Sequence, residues 1–304
     1  MRVVFVVNPA SANGRTGKEW PHLSARLKSL GVEHEAVLSR APAEATELTA
    51  KALADGAEVV VAVGGDGTLN EVANGFFVKD GPPARSAIAL MPYGTGGDFR
   101  RTFSIPTELE EVAQMLKGGR RRMIDVGRID MQSLDDIPLT RYFINIADAG
   151  IGGVVVDRVN HSSKMLGGKL TFNLVSIRTL LDYKPQPVEV RTEERNWDGR
   201  AQNVVIANCQ YFGGSMHVAP KAEPDDGLFD VVVFGNIGSF EAIRSIGDIY
   251  KATHVKNPKV QTWRSAQVEL LSPERVLIDV DGEMCGTLPA KFRVLPKALE
   301  LVVP

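Results

Sequence analysis

The stretch Val59-Val60-Val61-Ala62-Val63-Gly64-Gly65-Asp66-Gly67-Thr68-Leu69-Asn70-Glu71 decides the fold. Five apolar, mostly β-branched residues without polar alternation predict a strand buried on both faces, as in a parallel sheet. The three glycines that follow predict a tight loop whose bare amides can approach a phosphate, with Thr68 and Asn70 as polar contacts. Leu69, Val72, Ala73, Phe76 and Phe77 then mark one face of a helix over Leu69 to Val78. Asp-Gly is also an ordinary turn signal, so this stretch alone poses a nucleotide phosphate site without establishing one.

The same alternation surrounds it. Val3–Val7 reads as a strand, and Trp20, Leu23, Leu27 and Leu30 mark a helix. A strand at Val32–Leu38 and a helix at Glu44–Leu53 follow. After the glycine loop come a strand at Ala87–Met91 and a helix carrying Leu109, Val112, Met115 and Leu116. This order predicts a doubly wound α/β domain over residues 1–125. Ligands bind such sheets beyond the carboxyl ends of the strands. Two further polar, glycine-containing loops stand there, Asn8–Gly17 and Pro92–Phe99.

Beyond Asp125, strand-like runs predominate: Arg141–Ala147, Pro187–Arg191, Asn203–Asn208, Leu228–Phe234, Val268–Leu271 and Val276–Val280. Turn-rich segments such as Glu193–Gly199 and Pro224–Gly227 separate them. Helices are expected over Leu170–Tyr183 and Ser239–Ala252. The reading is a β-sandwich domain over 126–304, with Ala298–Val303 returning as a strand to either domain.

Bulk properties narrow the function. The 304 residues carry 35 basic and 37 acidic side chains, a net charge of -2, so no global field draws the chain to nucleic acid. Cys209 and Cys285 lack metal-ligand spacing and read as reduced thiols. The apolar N-terminal stretch is too short for a signal peptide or membrane span, which gives a cytoplasmic expectation. The five histidines show no ligand spacing.

Taken together, Asn8-Pro9, Gly64-Gly65-Asp66-Gly67-Thr68, Pro92-Tyr93-Gly94-Thr95, Asp226-Gly227-Leu228 and Asp281-Gly282-Glu283, in this order across the chain, resemble the diacylglycerol kinase and sphingosine kinase superfamily, in particular its soluble bacterial lipid kinases. The resemblance implies an ATP-binding α/β domain like that of NAD kinases and phosphofructokinases, a β-sandwich domain that takes the lipid, and an active site in a cleft between them. By similarity Gly64, Gly65, Asp66, Gly67, Thr68, Leu69, Asn70 and Glu71 form the nucleotide loop. Asn8, Ser39, Gly94 and Thr95 join it at the nucleotide. Asp66, Asp98 and Asp125 match acidic positions grouped near the ATP phosphates and catalytic magnesium. Asp226 matches the side-chain ligand of a structural magnesium, with the carbonyls of Glu223 and Leu228. Glu283 matches the proton acceptor, with Asp281 orienting it or binding metal.

The expected cofactors are therefore ATP and Mg, and the activity is transfer of the γ-phosphate to the hydroxyl of diacylglycerol or a related lipid. Expected partners are a lipid substrate, a transient peripheral membrane contact and a second copy in a homodimer, with no nucleic acid. Arg120-Arg121-Arg122 reads either as charge beside a helix C-terminus or as an anionic membrane contact. The helix at 170–183 reads as core or as lining of an acceptor pocket. Gly97 stands where the family commonly has asparagine, which leaves a lost contact to be supplied by Arg100 or Arg101. Alternative readings are an NAD kinase-like phosphotransferase, which shares the glycine loop, and a non-catalytic lipid-binding homologue.

Overall fold

The computed structural model describes residues 1–78, 81, 86–94, 97–161 and 168–304. The chain forms two compact units: Met1–Val126 with Lys297–Pro304, and Gly127–Pro296.

The first unit contains β1 (Val3–Val7), α1 (Arg15–Ser29), β2 (Glu35–Leu38), α2 (Glu44–Ala54), β3 (Val59–Gly64), α3 (Asp66–Gly75), β4 (Ala87–Pro92), α4 (Asp98–Phe103) and α5 (Leu109–Gly118). Its sheet runs β2-β1-β3-β4, all parallel. Every residue of β3 is buried, as expected of a central strand covered on both faces. Each such valine contributes about 1.5–3 kcal/mol of transfer free energy. Two helix pairs cover the sheet, α1 with α5 and α2 with α3. The second pair meets at Gly75, where a Cβ would stand 2.7 Å from the Thr46 carbonyl oxygen.

Two boundaries differ from the sequence reading. Val32 lies in the turn that closes α1 and not in β2: its amide donates to the Leu27 carbonyl while Gly31 takes φ +81°, which delays the strand to Glu35. The helix after the glycine loop starts at Asp66, because the Gly65 carbonyl already accepts the Leu69 amide.

The second unit begins inside β5 (Arg120–Gln132) and continues with β6 (Pro138–Phe143), β7 (Ile146–Gly150), α6 (Ile151–Asn160), α7 (Gly168–Asp182), β8 (Gln186–Thr192), β9 (Asn196–Ala201) and β10 (Asn203–Ala207). A small ribbon of β11 (Tyr211–Phe212) and β12 (Met216–His217) precedes β13 (Phe229–Phe234), α8 (Ser239–Tyr250), β14 (Val260–Ser265), β15 (Gln267–Leu271), β16 (Leu277–Val280) and β17 (Glu283–Val303). Antiparallel pairing gives the order β14-β13-β10-β7-β16-β17, with β15, β8 and β9 continuing from β17. One apolar core joins these strands, with Phe143 stacked on Phe229 at 5.4 Å and Phe292 edge-on to Phe143. The fold is thus an α/β domain joined to a β-sandwich domain.

The segment read as a turn over 193–199 is largely β9. Asn196 and Asp198 face solvent while Trp197 packs on the core, so the strand's alternation hides behind turn-forming residues. The arginine triplet lies in β5 and is occupied within the first unit: Arg121 pairs with Glu300 at 2.7 Å, and Arg122 lies over the Phe103 ring. The returning tail joins the first unit, where Glu300 and Leu301 pair with Ala87 and Ile88 in parallel.

Candidate functional site

Three loops of the first unit leave the carboxyl ends of β1, β3 and β4. The Asn8 side chain donates to Thr68 Oγ1 at 3.1 Å and accepts the Ala10 amide at 3.0 Å, which ties the first loop to the second. Gly64 sits under Thr68, whose side chain fills the space a Cβ would need. The second and third loops touch backbone to backbone: the Gly64 carbonyl accepts the Tyr93 amide, and a Cβ on Gly94 would fall 2.6 Å from the Gly65 Cα. Only position 94 requires glycine for that approach, since a Cβ on Gly65 would meet the Gly94 Cα at an ordinary 3.8 Å. Bare peptide groups of such a loop can approach an anion closely.

Asp66 fastens the arrangement. Its Oδ2 accepts the amides of Gly97 at 2.9 Å and Asp98 at 3.1 Å, and its Oδ1 that of Phe99 at 3.4 Å. The carboxylate thereby caps α4, whose side chains form no cap of their own. Gly97 itself takes φ +128°, and a Cβ there would meet the Arg100 side chain at 3.0 Å. Glycine in place of the family's asparagine thus accompanies a backbone conformation that residues with a Cβ rarely adopt.

Other residues expected at the nucleotide have architectural partners. Glu71 accepts the amides of Ala43 and Ala45 at 3.0 and 3.1 Å, capping α2. Leu69 lies in the core, and buried Asn70 accepts from the Asn74 side chain at 3.1 Å. Ser39 is buried, and its hydroxyl donates to the Val7 carbonyl at 3.4 Å. Asp125 is fully buried and accepts the Lys297 amide at 2.7 Å, which fixes the returning tail. Asp98 is buried at the start of α4. Thr95 lies outside the described residues.

In the second unit, the β16–β17 hairpin turns at Asp281-Gly282. Asp281 adopts φ +51°, and its carboxylate accepts three consecutive amides, from Ile144, Asn145 and Ile146, at 2.9–3.0 Å. That nest locks the hairpin to the start of β7. Glu283, half-buried, is the first residue of β17 and stands opposite Val280. Rigid support of this kind suits a residue whose carboxylate must be placed within a few tenths of an ångström.

The turn before β13 carries Asp226. Its Oδ1 accepts the Leu228 amide at 3.0 Å, and its Oδ2 forms an ion pair with Arg264. Carboxylate and carbonyl oxygens of the kind expected from Asp226, Glu223 and Leu228 are hard donors that suit magnesium, which retains several waters. In this structure Arg264 occupies the Asp226 carboxylate. No cluster of three or more His, Cys, Asp or Glu side chains placed to hold a metal occurs among the described residues.

Sequence reading missed three features. Arg264 opposite Asp226 depends on strand pairing. Gly97's backbone is invisible in composition. Asp148 and Asp279, opposite each other on β7 and β16, carry no role in that reading: Asp148 lies just past the run read as a strand to Ala147, and Asp279 within the run Val276–Val280.

Comparison with known proteins finds a family match for each half of the chain. Residues 2–129 match the diacylglycerol kinase catalytic domain, and residues 145–303 match the YegS C-terminal NAD kinase beta sandwich-like domain. Proteins named diacylglycerol kinase from Staphylococcus saprophyticus and Bacillus subtilis are each 26% identical, over 100% of this chain and 95% and 96% of their own lengths. A solved structure from Bacillus anthracis str. Sterne superposes with a TM-score of 0.80 at 21% identity, covering 100% of this chain and 95% of that one. Another from that strain, named as a diacylglycerol kinase, gives 0.72 at 18%, covering 100% and 97%. At these identities the structural likeness speaks to the fold. Both domain matches, in order and together spanning most of the sequence, show that the chain belongs to the diacylglycerol kinase family of lipid kinases.

Proposed function

We propose that the protein is an ATP- and magnesium-dependent kinase that moves the γ-phosphate to the hydroxyl of diacylglycerol or a related lipid. The reading rests on one observation above the others: Gly65 and Gly94 in backbone contact at the carboxyl ends of adjacent parallel strands, fastened by Asp66. Phosphoryl transfer needs positioning and charge cancellation more than covalent chemistry, and a peptide-lined surface on a fixed frame serves both.

Nucleotide binding falls to the first unit, through Asn8, Ser39, Gly64 to Glu71, Gly94, Thr95, Asp98 and Asp125, some by contact and others by holding the loops. Glu283 accepts the proton of the lipid hydroxyl as its oxygen bonds to the γ-phosphorus, while the bridging oxygen leaves with ADP. Asp281 positions Glu283 through the hairpin. Asp226, Glu223 and Leu228 would hold a structural magnesium, and Asp66 lies among the groups near the catalytic one. When bound, magnesium cancels charge on the phosphates.

A lipid acceptor requires contact with a bilayer or micelle. Leu174, Ile177 and Leu181 of α7 are 53%, 45% and 58% exposed and recur at helical spacing, an apolar stripe available for that contact. The side chains of Leu170 and Phe172, expected on the same helix, lie outside the described residues. Among the described residues no helix is long and apolar enough to cross a membrane, so contact would be peripheral.

The test is incubation of the purified protein with labelled ATP, magnesium and a panel of lipids in mixed micelles. A labelled phospholipid is expected. Labelled NADP from added NAD, or nucleotide binding without turnover, would overturn the reading.

A further inference from the structure

Asp148 and Asp279 are directly opposite on the antiparallel strands β7 and β16. Their strand neighbours Ala147, Ala149, Ile278 and Val280 all point into the apolar core, so alternation puts both carboxylates on the other face of the sheet. Asn203 on β10 shares that face, because its neighbours Val204 and Ile206 lie in the same core. All three are buried: Asp148 is 0% exposed, Asp279 6% and Asn203 5%.

These side chains present a surplus of acceptors. Neither oxygen of Asp148, nor Oδ1 of Asp279, nor Oδ1 of Asn203 meets hydrogen-bond geometry with a donor among the described residues. The Asn203 amide lies beside Asp148 and steadies its charged form, and the Gly282 amide does the same for Asp279. Among the described residues no basic group offsets either charge: the ionised neighbours of Asp279 are Asp148, Asp281 and Glu283, all acidic. Burial pushes Asp148 up to about 7 and Asp279 well above the usual carboxylate range.

Backbone closes the place from above. α6 packs on β7 and β16, and its first turn carries Gly152 and Gly153. A Cβ on Gly152 would overlap the Asp148 carboxylate, and one on Gly153 would meet Leu277 at 2.8 Å. The glycines let the helix start lie directly over the acidic pair.

We propose that Asp148, Asp279 and Asn203 form a buried site for a hard divalent cation, distinct from the one at Asp226. One shared proton would leave one carboxylate charged; a cation between the two strands neutralises both carboxylates. Calcium fits better than magnesium, since it accepts irregular sets of carboxylate, amide and main-chain oxygens with waters making up its about six to eight ligands, whereas magnesium demands a near-ideal octahedron. The ion would pin β16 to β7 just before the turn that carries Glu283, so it acts on placement of that residue and not on the reacting atoms.

The experiment uses the full chain carrying Asp226→Ala, stripped with chelator and free of nucleotide, and titrates it with calcium alone and with magnesium alone. Uptake of about one calcium per chain, with a rise in melting temperature, is expected. Adding Asp148→Asn or Asp279→Asn is expected to abolish both effects. Should one of these variants fail to fold, the other and the calcium-dependent melting of the Asp226→Ala chain carry the test. Equal uptake with and without Asp148→Asn overturns the proposal. So does absence of uptake accompanied by an infrared carboxylic-acid band at neutral pH that Asp148→Asn removes, because the pair then holds a proton.

Discussion

Asp66 Oδ2 accepts the Gly97 amide at 2.9 Å, so a residue of the glycine loop caps the helix that starts after the next loop. Loss of a helix cap costs about 0.5–2 kcal/mol. Asp66→Ala is therefore expected to lower stability by about that amount in urea unfolding and to cut turnover by at least ~100-fold through misplaced loops and lost charge. Asp66→Asn, which keeps an acceptor, should recover most of the stability and little of the turnover. Near-normal rates in both variants would remove Asp66 from the site.

Backbone contact between Gly65 and Gly94 sets a steric test. Gly94→Ala places a methyl group 2.6 Å from the Gly65 Cα, and overpacking of this kind costs about 1–3 kcal/mol. The dissociation constant for ATP, measured by calorimetry, should rise with it. Gly118→Ala is the control: no atom lies within 4 Å of the added group, and at the end of α5 alanine is expected to be neutral or stabilising by up to about 1 kcal/mol.

Much of the architecture is legible in sequence because it depends on apolar runs and periodicity. Val59–Val63 announces a central strand, and the glycines after it announce a loop that only tertiary contact with Gly94 completes. What stays hidden depends on partners remote in sequence. Asp125 reads as a nucleotide-side carboxylate, and nothing in its neighbourhood announces its bond to Lys297, 172 residues away. Asp281 reads as a turn residue or a catalytic carboxylate until three amides of residues 144–146 converge on it. Trp197 reads as part of a turn because Asn196 and Asp198 flank it, and strand pairing with Val190 reverses that reading.

Burial makes the Asp125 bond a stability determinant. Asp125→Ala leaves the Lys297 amide without its acceptor, a loss worth about 1–3 kcal/mol. Hydrogen exchange should quicken first at Leu299–Val303, the strand that this bond anchors. Unchanged protection there would show that the bond does not hold the tail.

Arg264 forms an ion pair with Asp226, so a cation bound there would have to displace it. If Asp226 is a magnesium ligand, Arg264→Gln should lower the magnesium concentration at half-maximal thermal stabilisation, and Asp226→Ala should abolish magnesium-dependent stabilisation at this turn. Identical magnesium dependence in the parent and both variants would exclude Asp226 from metal binding.

Cys285 supplies a pH test. Burial pushes its thiol up to about 12, aided by the charges of Glu283, Asp279 and Asp281 and opposed by Arg141. The folded chain keeps this proton while the unfolded chain releases it near 9, so the contribution to stability is full below that pH and falls as pH rises from about 9 towards 12. Native protein at pH 8 should resist iodoacetamide at Cys285, and rapid alkylation there without unfolding would contradict this enclosure.

The pairing of Glu300 and Leu301 with Ala87 and Ile88 has a consequence for synthesis on the ribosome. A nascent chain that has emerged only through Val126 holds β1, β2, β3 and β4 but leaves the outer edge of β4 open, with its amides and carbonyls ready to pair with any passing strand. Some 170 residues of the second unit must be made before the segment that closes this edge arrives. The first unit thus begins folding first and finishes last, and its unguarded interval is set by the length of the insertion and the pace of translation.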